Sequence, residues 1–349
     1  MIEIDGSVKS GSGTLLRYGI SLAALLDEEL HMCNIRAGRD KPGLRHQHRQ
    51  VVLAVRDLSQ GLVQGVDLGS TEIRYKPSRK IKGGHYRWDI GTGGSTTMLS
   101  MALLPLACFA GGPSVFDISG GTFQDFAPSA YYMKYVLLPT LRKMDIMADL
   151  ELERPGYAEQ GGGIIRVSVE PLTAKIKPIS LVKCDGVRKI MGIAISSHLE
   201  GARVSDRMAK ECQMELRQKG YNATIETVYD TSASHEGAAL AIWAETEACI
   251  FGSDRAGKKG RRAESIGSYV VNTLVRDIES GATVDRFLAD QLVIYAALAD
   301  GVTEYVIPRM TDHVEANLWL IEYVLGKFGA GVEVVGNSIK IAGIGYSSH

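Results

Sequence analysis

The sequence predicts an α+β fold, with helices laid on one face of mixed or antiparallel sheets. Stretches of helical and of strand periodicity alternate along all 349 residues. The strand-like stretches tend to come in pairs between helices, which disfavours a doubly wound parallel sheet. A hydrophobic share of 45% and a charged share of 23% are those of a globular chain. The length allows one large core or two to three domains.

The elements follow in order. Residues 14–26 (TLLRYGISLAALL) have helical spacing and follow an SGSG loop. Residues 45–61 form a second helix with Val51, Val52, Val55 and Leu58 on one face, stopped by Gly61. TEIRYKPSR alternates as a strand. Ser95, Thr96 and Thr97 cap a helix through 98–110, and 113–119 reads as a strand. Pro128 and Ser129 open a helix reaching about Lys143, and 163–172 alternates again. From about 183 the units shorten: strand 189–199, helix 204–220, the strands ATIETVYD and ALAIWAETEACIFGSD, and helix 264–281. Longer elements return with helix 284–301, strand EYVIPRM, a helix over 312–329 opened by an Asp312 cap, and a hairpin over 332–346 turning at Gly336 and Asn337. Strand-helix units recur, but no repeat is visible by residue identity.

Composition excludes several classes. With 39 Lys+Arg against 40 Asp+Glu, the chain cannot coat nucleic acid by bulk charge, so any polyanion site is local. Five scattered cysteines without a CxxC pair predict reduced thiols in a cytoplasmic protein, with neither a disulfide frame nor a zinc site. The apolar run 98–110 is too short to span a bilayer and contains a proline, so no membrane partner is expected.

Three features could carry chemistry. Residues 35–49 (IRAGRDKPGLRHQHR) hold five Lys or Arg and two histidines against the single acid Asp40. Arg36 and Arg39 precede the KPG turn. Arg45, His48 and Arg49 sit on one face at the start of the next helix, where the dipole also favours an anion. The segment is either a phosphate or nucleic-acid-end site or a solvated basic loop. Glycine clusters at 91–94, 119–122 and 161–163 mark either anion cradles or tight turns; none is a Walker A or GxGxxG loop. His313 falls in the first turn of its helix: it is either a nucleophile whose imidazole the dipole keeps neutral or simply a partly exposed helix-start histidine. Asp290 and Gln291, beside Leu288 and Leu292, either meet a ligand or mark a solvent edge.

Taken together, IDGS (4–7), LLR (15–17), IRAGRDKPGLRHQH (35–48), SGGT with APS (119–129), GGG (161–163), TVDRFLADQL (283–292) and GIGY (343–346) resemble the RNA 3'-terminal phosphate cyclase family. The resemblance implies repeated βαβαββ units in a large domain, 1–182 and 281–349, with a smaller α/β domain inserted over 183–280. It also implies an ATP-dependent enzyme of the ligase class. A histidine takes AMP from ATP as a phosphoramidate and passes it to an RNA 3'-phosphate. The vicinal 2'-hydroxyl then closes a 2',3'-cyclic phosphate and expels AMP. The histidine falls on His313. Nucleotide-contacting positions fall on Pro128, Met101, Phe287, Asp290 and Gln291, and phosphate or RNA-end positions on Arg17, Arg36, Arg39 and His48. A divalent metal, Mg or Mn, is implied without assigned ligands. The chain departs from the family pattern at Ser10 (usually Glu), Thr14 (Gln), Met101 (often Gln), Phe287 (Tyr) and Glu159 (Pro). Two alternatives follow: a non-catalytic or weakened RNA-binding ribosome-assembly factor of the same family, and an enolpyruvyl-type transferase.

Overall fold

The computed structural model describes residues 1–9, 11–78 and 80–347, so Ser10 lies outside the described residues. The first unit holds β1 (Ile2–Asp5), α1 (Gly13–Leu25), β2 (Leu30–Cys33), α2 (His46–Ser59), β3 (Leu62–Gln64) and β4 (Ile73–Lys76). Its sheet order is β1-β2-β4-β3, with β1 and β2 parallel and the other pairs antiparallel. The second unit repeats the plan. It holds β5 (Gly84–Asp89), α3 (Thr96–Cys108), β6 (Ser114–Gly120), α4 (Ala130–Tyr132), a π turn at Met133–Leu137, α5 (Leu138–Arg142), β7 (Ala148–Arg154) and β8 (Gly163–Val169), in the order β5-β6-β8-β7.

A third unit begins with β9 (Ser180–Leu181) and is interrupted. β10 (Lys189–Ser197), α6 (Val204–Gln218), β11 (Ala223–Asp230), β12 (Gly237–Glu245), β13 (Ile250–Ala256) and α7 (Ala263–Glu279) come between. These four strands pair only with one another, in the order β11-β10-β12-β13. The third unit then resumes with α8 (Leu288–Gln291), α9 (Val293–Leu298), β14 (Val302–Val306), α10 (Asp312–Leu325), β15 (Gly331–Val335) and β16 (Ser338–Ala342). Its order β9-β14-β16-β15 matches the other two. The repeat is one of topology, which residue identity conceals.

Burial explains the division of labour. Every residue of α1 from Thr14 to Leu25 is buried, as is all of α9, and α3 is almost wholly so. These first helices form the centre, while α2 keeps a polar face outward, as an amphipathic helix should. β12 is buried on both faces, against α6 and α7 on one side and against α4 and the π turn on the other. Tyr135 from the π turn stacks flat on Trp243 of β12, with ring centroids 4.1 Å apart.

Several expectations need correcting. The helix expected over 284–301 starts only at Leu288 and breaks at Leu292. Asp285 is the reason: its carboxylate accepts the N–H groups of Phe287 and Leu288 and ends the preceding loop. Asp312 does not cap α10; Thr311 does, its hydroxyl accepting the Val314 N–H at 3.2 Å. The left-handed residue closing α2 is Gln60, one before the expected Gly61. Strands β2, β3, β5, β7 and β9 were not anticipated; they are short, or lie exposed at a sheet edge.

The glycine clusters prove to be close-packed backbone. Gly93 donates to the Glu159 carbonyl and Gly121 to that of Gly94. A Cβ on Gly161 would lie 2.6 Å from the Thr92 carbonyl oxygen, and one on Gly163 2.5 Å from the Gly156 nitrogen. The first backbone donors of α3 are taken as well: Ser95 N–H donates to Gln47 Oε1 and Met98 N–H to Ser95 Oγ. That end of the helix therefore offers no anion cradle.

Candidate active site

The site is built at the N-terminus of α1. Ser12 caps the helix, Gly13 opens it, and Thr14 and Arg17 face inward one turn apart. Thr14 Oγ1 donates to Asn317 Oδ1 on α10 at 2.9 Å, and Asn317 Nδ2 donates to the Asp290 carbonyl at 3.0 Å. Asn317 thereby fixes α10 against both α1 and α8. Four residues earlier on α10, one turn away, His313 brings Nδ1 to 3.5 Å from Ser12 Oγ. Lys9 and Glu315 form an ion pair at 2.9 Å across the same seam.

Arg17 is the centre of the charge. It is 8% exposed, its Nη2 donates to Thr14 Oγ1 at 3.3 Å, and its buried Nε has no partner among the described residues. No acid of the described residues lies within ion-pair distance of it. A buried guanidinium without an ion-pair partner is costly unless an anion offsets it. His48 lies beside it, packed so tightly on Gly13 that a Cβ there would sit 2.4 Å from His48 Nε2. Burial first, then Arg36, Arg17, Arg45 and Arg39, push this imidazole down to about 3. His48 is therefore neutral at physiological pH, and its buried Nδ1 also has no partner.

The 36–39 loop closes over the same end. A Cβ on Gly11 would meet Gly38 N at 3.5 Å, so the two loops touch. Arg36 adopts a left-handed conformation and uses Nη1 to hold the carbonyls of Lys41 and Gly43, at 2.9 and 2.8 Å. It is a staple of its own loop as well as a cation. Arg39 is exposed at the rim. His313 reaches solvent, yet partial desolvation, followed by Arg17 and Arg39, lowers its pKa from the ordinary 6.5, against the opposing pull of Asp312. Desolvation and the nearby arginines thus favour the uncharged form of this imidazole. Arg49, expected on the face of His48, turns away and donates to the Val66 carbonyl.

Asp290 and Gln291 sit on α8 behind Arg17. Burial pushes the Asp290 carboxyl up to about 7, with Arg17 opposing. Gln291 is buried, and its Oε1 has no partner among the described residues, so it points inward and not to solvent. Phe287 packs edge-on against Tyr132, 5.8 Å between centroids, and Pro128 lies buried at the start of α4, its carbonyl accepting from Thr97. Pro128 is followed by Ser129, the cap of α4, whose Tyr132 is the residue that meets Phe287 at the start of α8. Met101 is buried in α3, and no described contact links it to His313.

Sequence reasoning missed the residues that hold this arrangement. Asn317 is one. Asp285 is another: it accepts from Tyr132 Oη, and from the N–H groups of Gly252, Phe287 and Leu288, which offset the burial that pushes it up to about 7. An Asp three residues before a buried Leu at a helix start was the available signal.

A cavity of about 410 Å³ opens elsewhere, on the outer face of the second sheet, lined by Arg87, Asp89, Asp117, Ser119, Glu153 and Arg166. Its arginines are matched by acids: Arg87 and Arg166 pair with Asp117, and Arg166 also with Glu153. Charge, more than volume, distinguishes the α1 site.

The sequence pattern of the family described as RNA 3'-terminal phosphate cyclase matches residues 8–328. The chain is 36% identical over 326 residues to the RNA 3'-terminal phosphate cyclase of Thermococcus kodakarensis, covering 93% of each chain. It is 36% identical over 341 residues to that of Archaeoglobus fulgidus, covering 98% of this chain and all of the relative. The like-named protein of Thermococcus onnurineus is 37% identical over 328 residues, 94% of each chain.

Proposed function

This chain belongs to the RNA 3'-terminal phosphate cyclase family, and from that premise we propose that it uses ATP to convert an RNA 3'-terminal phosphate to a 2',3'-cyclic phosphate through AMP held on His313. The observation that carries the reading is Arg17: a buried guanidinium without an ion-pair partner among the described residues, beside a neutral His48 and close enough to His313 to help lower its pKa.

Nδ1 of His313 lies 3.5 Å from Ser12 Oγ, and in the tautomer that keeps its proton there the lone pair is on Nε2. That atom attacks the α-phosphorus of ATP; a P–N bond forms, the Pα–O bond to the β-phosphate breaks, and pyrophosphate leaves. A 3'-phosphate oxygen of the RNA then attacks the same phosphorus, breaks the P–N bond and carries AMP as a phosphoanhydride. The vicinal 2'-oxygen attacks the 3'-phosphorus, gives up its proton to solvent, and AMP departs. Arg17, Arg36 and Arg39 neutralise the phosphates, the main demand that such transfers make on a protein. His48 contributes an uncharged ring with Nδ1 available to a phosphate oxygen or a hydroxyl. Pro128 and Phe287 wall the nucleotide, and Asp290 and Gln291 supply polar contacts to it. Met101 belongs to this wall only if the ligand reaches the surface of α3.

Among the described residues no group of three His, Cys, Asp or Glu is placed to hold a metal ion. A divalent ion would therefore rest chiefly on the nucleotide phosphates, as Mg often does. No described helix is long and apolar enough to cross a membrane. We also take 183–280 as an inserted domain, supported by a sheet whose strands pair only with one another. A cytoplasmic setting agrees with five unbridged cysteines.

Incubation with α-labelled ATP and a divalent metal tests the reading. Wild type should acquire acid-labile label and His313→Ala none, and a 3'-phosphorylated RNA should become resistant to phosphatase. An unlabelled wild type would instead favour the assembly-factor alternative. Because the His313 pKa is lowered, labelling should persist as pH falls below 6.5.

A further inference from the structure

The β13–α7 connection carries charge that the reaction does not use. Residues 255–262 (RAGKKGRR) hold five cations and no acid. Two of them are tied down. Arg261 grips Asp125 through both guanidinium nitrogens at 2.7 Å, and Arg255 meets the same carboxylate at 3.2 Å while lying over the Tyr269 ring. Burial alone would raise the Asp125 pKa, but Arg261 and Arg255 hold it down. The other three, Lys258, Lys259 and Arg262, are exposed and form no ion pair among the described residues.

Asp125 fixes this loop to the segment that leads into the proposed nucleotide wall at Pro128. Its neighbour Phe126 is 96% exposed. An aromatic ring held in water, one residue from the carboxylate that anchors this cationic loop, has no packing role in the chain itself. The combination suits an extended polyanion with flat faces: phosphates meet the lysines and arginine, and a base stacks on the ring. The path continues inward through Ser129, which caps α4, and Tyr132 to Phe287 and α8.

We propose that Phe126 and the 258–262 loop bind the single-stranded body of an RNA upstream of its 3' end. The cyclase reading enters only in choosing a 3'-phosphorylated end as the part that continues into the α1 site. Single-stranded RNA fits better than a duplex, because a paired base has no free face to offer Phe126.

The test measures binding without ATP. A 3'-phosphorylated single strand of about 12 nucleotides and a 3'-phosphorylated trinucleotide are titrated by fluorescence anisotropy across a salt series. The triple variant Lys258→Ala/Lys259→Ala/Arg262→Ala should bind the longer strand at least tenfold more weakly at low salt. Its log–log salt slope should be shallower by about 2, three cations each releasing roughly 0.7 of an ion from a single strand. Phe126→Ala should weaken the longer strand about fivefold or more, the loss of one stacked base. Trinucleotide affinity should not change in either variant. All of the substituted side chains are exposed, and thermal melts matching wild type confirm folding. The proposal is overturned if either variant binds the longer strand as wild type does, if the trinucleotide loses affinity equally, or if wild type prefers a duplex or binds no RNA. Absence of histidine label on wild type would sink the cyclase reading while leaving these binding outcomes decisive.

Discussion

The first and second βαβαββ units share a strand order and place cations in opposite ways. In the first, Arg17, Arg36 and Arg39 gather at the mouth of α1 and no carboxylate of the described residues pairs with them. In the second, His85, Arg87 and Arg166 gather on the open sheet face, and all three converge on Asp117. Burial would raise the Asp117 pKa, but hydrogen bonds from Arg166 and His85 hold it down at about 2. The same architecture thus holds one cation cluster balanced by an acid and another without an ion-pair partner, at the place where we propose that an anionic ligand binds. The scaffold is indifferent to the choice, which is made in loops and helix ends.

That contrast can be broken at four points. Arg17→Met should cost the most in function: histidine labelling should fall about 100- to 1000-fold, the usual loss of one preorganised charge donor. It should leave the melting temperature unchanged or higher, because a buried unpaired charge is replaced by an apolar chain of similar length. Normal labelling in that variant would remove the basis for the site. Gly13→Ala drives a methyl into His48 and should destabilise by about 1–3 kcal/mol in denaturant titrations, an overpacking cost.

His48 gives a pH-dependent effect. Its folded pKa is depressed to about 3, so between there and 6.5 the unfolded chain binds more protons. Stability is whole above 6.5 and is lost as pH falls, by about 2 kcal/mol from this residue at pH 5. His48→Gln should flatten that slope, and a slope identical to wild type would contradict the burial. The smallest effect belongs to the second unit. Asp117→Asn should reduce stability by about 1 kcal/mol or less at pH 7 and leave labelling alone. Asp117 has a lowered folded pKa, so its contribution is present above 3.8 and vanishes as pH falls toward 2.

Much of this was legible beforehand, and its limits have physical causes. α2, α6 and α7 announce themselves by a polar and an apolar face, and Ser12, Ser95 and Ser129 by their place ahead of apolar runs. β9 has two residues and β3 three, too few for alternation to register. The break at Leu292 was hidden because Asp285 reads as an ordinary polar position on a long apolar helix until Tyr132 and Gly252 are seen to donate to it. At the site, the density of arginine in 35–49 was visible, but Arg17 lies in a stretch whose periodicity says only buried helix. Its role entered through family resemblance. The partnership of Thr14 with Asn317 leaves no trace in local sequence.

That partnership has a consequence for how the protein comes into being. Ser12 meets His313 across 301 positions, and Thr14 meets Asn317 across 303. During synthesis, α1 emerges early with its guanidinium, and its contacts to α10 cannot form until the segment around 313–317 has left the ribosome. Closing so long a loop is slow compared with forming the local units. The proposed site is therefore among the last parts of the fold to be completed.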